Sequence, residues 1–392
     1  MSNTQKKNVP ELRFPGFEGE WEEKKLESII KVNSGKDYKH LDKGDIPVYG
    51  TGGYMTSVSE PLSEIDAVGI GRKGTINKPY LLEAPFWTVD TLFYCTPKKE
   101  TDILFILSLF RKINWKVYDE STGVPSLSKQ TINKINRFVP TNKEQQKIGK
   151  FFSKLDRQIE LEEQKLELLQ QQKKGYMQKI FSQELRFKDE NGNDYPEWEN
   201  VMLQKVLKDK TEGIKRGPFG GALKKDIFVE SGYAVYEQRN AIYDISNFRY
   251  YINENKYKEM QSFSVQPNDI IMSCSDTIGR LALIPQNYTK GIINQALIRF
   301  RTNHKIRSEF FLIFMRSNQM QRKILEANPG SAITNLVPVK ELKLIPFPLP
   351  VKFEQDKISQ FILIINRRIE QSEKKIESLK NRKQGFLQKL FV

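Results

Sequence analysis

The segment PTNKEQQKIGKFFSKLDRQIELEEQKLELLQQQKKGYMQKIF, Pro140 to Phe181, returns without a gap 210 positions later as PVKFEQDKISQFILIINRRIEQSEKKIESLKNRKQGFLQKLF, Pro350 to Phe391. Its apolar positions Ile148, Phe152, Leu155, Ile159, Leu166, Leu169, Tyr176 and Ile180 step by four and three, the spacing of a coiled-coil seam. The second copy repeats the seam at Ile358, Ile362, Ile365, Ile369, Ile376, Leu379, Phe386 and Leu390. Both copies interrupt it at the same two places, Glu162 with Ser372 and Lys173 with Lys383. Shared interruptions point to duplication, which two unrelated surface helices do not explain.

As a helix each copy is about 58 Å long, more than one globular domain needs, so these are spacers. Neither helix buries its stripe alone, and the nearest partner is its own duplicate. An antiparallel pair would place the preceding domains at opposite ends, related by a pseudo-twofold axis.

The repeat extends beyond the spacers. PELRFPGFEGEWEEKKL (Pro10 to Leu26) returns as QELRFKDENGNDYPEWENVML (Gln183 to Leu203), sharing Glu-Leu-Arg-Phe and Glu-Trp-Glu. The organisation is therefore an entry segment (1–21), a variable domain (22–139), a long helix (140–181), a second entry segment (182–200), a second variable domain (201–349) and a second long helix (350–392). Within the variable domains IPVYGTGG (Ile46 to Gly53) parallels YAVYEQRN (Tyr233 to Asn240), each a short strand feeding a polar turn. AVGIGRKGTI (Ala67 to Ile76) parallels IIMSCSDTIG (Ile270 to Gly279), a β-branched run meeting a small-residue turn. Helical patterns follow over Asp102 to Tyr118 and Ser308 to Ala327, and turn segments at Ser121 to Ser128 and Asn328 to Leu336 close the domains. Strands mixed with a few helices predict α/β or mixed α+β domains.

With 392 residues and 38% hydrophobic content there is room for two ordinary cores. Apolar runs such as Phe310 to Met315 and Phe361 to Ile365 are too short to span a bilayer, and MSNTQKKNVPEL has no signal-peptide core, so a cytoplasmic protein with no membrane role is expected. Two cysteines, Cys95 and Cys274, and two histidines, His40 and His304, do not suffice for a dedicated zinc site, and no metal site or disulfide framework is expected. The net charge of +15 favours a polyanionic partner, of which nucleic acid is the commonest. The charge is uneven: residues 201–350 carry 22 Lys and Arg against 13 acids, whereas residues 22–139 carry 17 against 15.

Three segments are candidates for DNA contact. GIGRKG (Gly69 to Gly74) matches the dinucleotide fingerprint on paper, but Thr75, Ile76 and Pro79 favour extended chain where the fingerprint needs a helix to open. A turn offering Arg72, Lys73, Thr75 and backbone amides suits a DNA phosphate better, with a plain surface turn as the open alternative. KRGPFGGALKK sets Lys215, Arg216, Lys224 and Lys225 around a flexible turn, suited to phosphate or serving only solubility. Gln238, Arg239 and Asn240 are side-chain types that pair with adenine or guanine edges, though any polar turn contains such residues. No catalytic or cofactor-binding residues emerge: there is no G-x-x-x-x-G-K-[ST] loop, no Asn-Pro-Pro-aromatic segment and no nucleophile motif beside a histidine. Carboxylate clusters such as Glu160, Glu162 and Glu163 fall on the long helices as charged flanks.

In this order of parts the chain closely resembles the specificity (S) subunits of type I restriction-modification enzymes. The resemblance covers nearly the whole length and rests on PELRFPGFEGEW, on the paired openings EQQKIGKFF and EQDKISQFI, and on the endings KKGYMQKIF and KQGFLQKLF. It implies that the variable domains are target recognition domains, each reading half of a split, asymmetric site in double-stranded DNA. It further implies a non-catalytic subunit of a restriction enzyme and adenine-specific methyltransferase complex. Two methyltransferase (M) subunits would dock on the helices and bring S-adenosylmethionine, and two restriction (R) subunits would bring ATP and Mg. A fused restriction-methylation enzyme would need a methyltransferase motif the chain lacks. A coiled-coil scaffold without DNA binding would explain the helices but not the duplicated, divergent domains.

Overall fold

The computed structural model describes residues 8–219, 221–275, 277–326 and 338–392. The chain divides into two compact units, one ending at Leu166 and completed by Gln371–Val392, the other Glu167–Glu370. Each unit therefore takes one part of both long helices, which run Asn142–Phe181 and Lys352–Lys389.

In the first unit, β1 (Glu22–Lys25) pairs antiparallel with β9 (Asn136–Val139), so the two ends of the variable domain meet, Glu22 opposite Val139. Between them lie β2 (Ile30–Ser34), β3 (Lys43–Gly50), β4 (Gly53–Val58), β5 (Ala67–Gly71), β6 (Tyr80–Leu82), β7 (Trp87–Thr88) and β8 (Leu92–Pro97). They form an antiparallel sheet β2-β8-β5-β6 and a smaller sheet β4-β3-β7 in which β3 and β7 are parallel. All five residues of β5 are buried, which explains an apolar run without polar alternation. Helix α1 (Ile103–Lys112) starts at Asp102, whose carboxylate accepts from Phe105 N, and its FILSLF stretch is buried entirely. The core gathers Trp21, Phe105, Phe110, Trp115 and Phe152 with Leu390 and Phe391 of the chain end.

The second unit repeats this plan. Strand β10 (Glu199–Met202) closes on β19 (Pro346–Leu349). The other strands are β11 (Ile214–Arg216), β12 (Phe228–Val229), β13 (Tyr233–Tyr236), β14 (Tyr251–Ile252), β15 (Ile270–Ser273), β16 (Leu281–Leu283), β17 (Gly291–Ile293) and β18 (Leu297–Phe300). They give sheets β11-β18-β15-β16 and β12-β14-β13-β17, the latter with one parallel pair, β13 and β17. The strand parallels seen in the sequence are thus topological: β3 answers to β13, each with a parallel neighbour, and β5 to β15.

Two expectations change. The strand at Tyr233–Tyr236 feeds helix α2 (Gln238–Tyr243), not a turn, because Glu237 and Asn240 form a reciprocal capping box. The helical patterns are also shorter than their apolar periodicity. Helix α1 stops at Lys112, where Ile113 is extended, and a separate 3-10 turn spans Trp115–Tyr118. In the second unit the pattern splits into α3 (Ser308–Met315) and α4 (Asn318–Glu326), since the Ser317 hydroxyl accepts from Met320 N and starts a new helix. The expected turn Asn328 to Leu336 lies outside the described residues, as does Ala327.

The long helices pair antiparallel. In the first unit Lys383 meets Asp156 at 2.5 Å, Lys380 meets Glu163 at 2.7 Å and Lys375 meets Glu162, so the earlier Asp156 lies by the later Lys383 and the later Glu162 by the earlier Lys375. Leu155, Ile159 and Leu379 form the apolar contact there, with Phe386 against it. In the second unit Tyr176 packs edge-on against Phe361 with ring centres 5.0 Å apart. The helix ends do not pack as seam: Ile148 and Phe152 belong to the first domain core, and Ile358, Ile362 and Ile365 to the second, with Ile369 packed against it. Ile376 is buried and Leu166 and Leu169 are half-buried. At the shared interruption, buried Ser372 donates weakly to the Glu162 carbonyl at 3.4 Å. Among the described residues no helix is long and apolar enough to cross a membrane.

Candidate nucleic-acid interface

The turn after β5 is built by close approach. A Cβ on Gly71 would lie 2.2 Å from the Thr75 carbonyl oxygen, and Gly74 has φ +88°, so glycine is required at both. Arg72 N and Lys73 N donate to Thr91 O, and Gly74 N donates to Pro125 O at 2.8 Å. These amides face the protein and are not free for a phosphate, contrary to the expectation from sequence. The side chains of Arg72 and Lys73 are exposed, Thr75 is half-buried, and Arg72 lies over the Phe93 ring at 5.8 Å. No helix opens after Gly74; the chain continues to β6. The residues present therefore do not fit a dinucleotide pyrophosphate.

The basic segment of the second unit divides into two parts. Lys215 and Arg216 lie on β11, half-buried, and Lys215 Nζ sits 4.8 Å from the Phe263 ring centre. Gly217 passes so close to the sheet that a Cβ would fall 1.8 Å from Asn294 O. Lys224 and Lys225 are exposed at the start of a 3-10 turn, and Phe219 stands 82% exposed between the two basic pairs. An apolar side chain so placed has no packing role, and sequence reasoning, intent on cations, passed it over.

The third candidate segment opens α2, where its three side chains part company. Gln238 accepts from Ser275 Oγ at 3.0 Å, and Arg239 is half-buried with a long contact to Asn247. Asn240 is buried: its Oδ1 accepts from Glu237 N, and its Nδ2 donates to Ile245 O at 2.9 Å and Asn247 O at 3.1 Å. All the hydrogen-bonding capacity that suits it to adenine is spent on its own loop. The neighbouring Arg249, unmarked by any motif, grips Glu237 with two bonds of 2.9 and 2.6 Å and lies over Tyr250; the Glu237 bond holds its pKa above the usual value.

Beneath this surface two arginines are buried. Arg301 binds both oxygens of Asp269, at 2.8 and 2.9 Å, while Arg299 donates to the Ser264 and Glu212 carbonyls. Burial first, and Arg301 next, push the Arg299 pKa down to about 10. These cations brace the sheet, Arg299 almost wholly buried and Arg301 about a tenth exposed. Both thiols are buried, and burial pushes that of Cys274 up to about 11.

The model of the type I restriction modification DNA specificity domain matches twice, over residues 18–171 and 219–381, together well over half the chain. The MjaVIII specificity subunit of a type I restriction enzyme from Methanocaldococcus jannaschii is 24% identical over 349 residues, 84% of this chain and 76% of its own. A putative type I MjaX specificity subunit from the same organism is 25% identical over 298 residues, covering 74% of this chain and 67% of its own. In fold, the S subunit of a type I system from M. genitalium matches with a TM-score of 0.64 at 15% identity, over 98% of this chain and 99% of that one. A structure described in a study of complex assembly and conformational transition of the type I R-M system matches with a TM-score of 0.54 at 15% identity, over 97% and 99%. These matches do not favour a scaffold without DNA recognition. With the duplicated domain, the paired helices and the twofold family match in hand, the chain belongs to the type I restriction-modification DNA specificity family, as a non-catalytic specificity subunit.

Proposed function

We propose that each variable domain reads one half of a split, asymmetric site in double-stranded DNA and that the long helices carry the partner subunits that act on it. Two M subunits with S-adenosylmethionine would methylate the site, and two R subunits with ATP and Mg would restrict it. The observation that carries this reading is the duplication of one sheet plan with different loops on it. Strand β3 turns back through Gly50–Gly53 into a hairpin, whereas its counterpart β13 runs into α2. A shared scaffold with divergent loops is what two readers of different sequences require.

In the first domain the exposed Arg72 and Lys73, and in the second Lys224, Lys225 and Arg239, are the cations proposed to approach DNA, with Lys215 and Arg216 supporting the strand beside them. Replacing residues 22–139 by the corresponding domain of another specificity subunit, and mapping methylated sites in DNA of cells carrying the assembled enzyme, tests the reading. One half-site should change and the other persist. If both change, or neither does, the domains do not read independently.

A further inference from the structure

In the first unit Arg111, in the last turn of α1, and Lys383, on the second long helix, both pair with Asp156 on the first long helix. The second unit repeats the frame. Gln145 Oε1 accepts from the amide that begins α1, Asp102 N, at 3.0 Å, and Gln355 Oε1 accepts from the amide that begins α3, Arg307 N, at 2.7 Å. Asp102 therefore corresponds to Arg307, and Arg111 to Arg316. The 210-residue offset between the helices sets Lys173 against Lys383 and Asn366 against Asp156. Both cations are kept, and the carboxylate that neutralises them has become a neutral amide.

Arg316 turns instead to Asp244, at 3.0 Å, and to the Leu281 carbonyl. Half-buried Lys173 has no carboxylate within ion-pair distance among the described residues. Burial, and then Arg316, hold its pKa below the usual lysine value, as burial and then Arg111 do for Lys383 even beside Asp156. A cleft of 950 Å³ opens beside it, lined by Lys173, Lys174, Arg316, Arg322 and Lys323, with Glu326 as the one acid among the described lining residues. The corresponding cleft beside Lys383 is smaller, 500 Å³, and holds Asp156, Glu160 and Glu163 among its cations. Ser317, Asn318 and Gln319, at the start of α4, also line the larger cleft and add the positive end of that helix.

We propose that this cleft of the second unit binds a phosphate-bearing anion, which fills the place that Asp156 fills in the first. A doubly charged tetrahedral group matches several crowded cations; a single peptide carboxylate leaves most of their mutual repulsion in place. The phosphate is either free, as inorganic phosphate or part of a nucleotide, or belongs to the DNA backbone. The inference is independent of which bases the variable domains read, because no half-site variant touches the cleft.

Titration calorimetry of the full-length chain with inorganic pyrophosphate at fixed ionic strength tests it. The parent should bind with one saturable site. Asn366→Asp, which restores the residue native to the other unit, should weaken binding by about tenfold or more with a melting temperature no lower than the parent's, and Lys173→Met should weaken it likewise. Glu326→Gln should tighten it. If free pyrophosphate does not bind but Asn366→Asp lowers DNA affinity and salt dependence of the chain assembled with M subunits, the phosphate is that of the DNA backbone. If Asn366→Asp instead affects only association with a partner subunit, the cleft takes an acidic peptide and the proposal falls. It falls equally if neither substitution alters any of these equilibria.

Discussion

Arg186 and Glu354, 168 residues apart, close on each other through two hydrogen bonds, Nε to Oε1 at 2.8 Å and Nη2 to Oε2 at 2.9 Å. Arg13 and Glu144 repeat the bond pattern in the first unit at 2.8 and 2.7 Å. The pairs join the two ELRF entry segments to the first turns of the long helices, and both carboxylates are fully buried. The Glu354 bond raises the Arg186 pKa above its usual value, and Trp198 Nε1 also donates to this carboxylate at 2.8 Å. Trp21, in the first entry segment, has no partner for its Nε1 among the described residues.

Removing one member of such a pair leaves a buried charge unmatched. Glu354→Gln or Arg186→Met should destabilise the second unit by about 3 to 5 kcal/mol, and the double variant Arg186→Met/Glu354→Leu by clearly less than the two together. Urea unfolding of the four proteins checks this. Additive losses would mean the pair is not coupled.

The exposed and half-buried lysines of the second domain should behave differently. Lys224→Ala/Lys225→Ala should weaken binding to all DNA sequences alike and reduce the slope of log affinity against log salt by about 1.8, if each contacts one phosphate. Lys215→Ala should in addition lower the melting temperature, because its ammonium rests on Phe263. Binding curves at several salt concentrations, with thermal melts, separate the two effects.

Within α2, Arg239→Ala should relax one half-site by about 1 to 3 kcal/mol of discrimination. Asn240→Ala should instead loosen the loop through Asn247 and lower stability, with every DNA sequence affected equally. Selection of bound sequences from a random pool, with the melting temperature of each variant, gives the answer.

Glu162 supplies a pH dependence. Lys375, by hydrogen bond, holds its carboxyl below the usual carboxylate range in the folded chain. A carboxyl with a depressed folded pKa contributes stability that is present above its unfolded pKa and lost as pH falls through the folded value. The urea midpoint should therefore fall between neutral pH and the acid range, and Glu162→Gln should make that fall shallower. The change is small, since Lys375 is largely exposed. An unaltered slope in Glu162→Gln would remove the pair from the account.

Inserting one heptad after Leu169 and one after Leu379 keeps the seam and adds about 10 Å to each helix. The assembled enzyme should then prefer the same half-sites with up to about three more base pairs between them, fewer if the DNA bends. A stable, active enzyme with its original gap would leave the helices as docking surface alone.

Much of this was legible in the chain because duplication writes the same physics twice. The 210-residue repeat marked the long helices, their common interruptions and the entry segments, and the β-type runs at Ile46 and Tyr233 marked strands that share a parallel pairing. Periodicity fixes which face of a helix is apolar but not what covers it. It could not separate Leu155 and Ile159, which meet Leu379 across the helix pair, from Ile148 and Phe152, which complete a domain core.

By itself, then, the sequence determined the division into repeated units, the length of the helices and the local preference of each segment, since these depend on residues close together in the chain. The tertiary structure decided what each polar side chain is bonded to. Asn240 looked free until the loop to Asn247 folded back on it, and Lys173 looked like an ordinary flaw in a seam until Arg316 was brought beside it. Such partners come from distant segments, and which of them meet is settled only when the whole core closes.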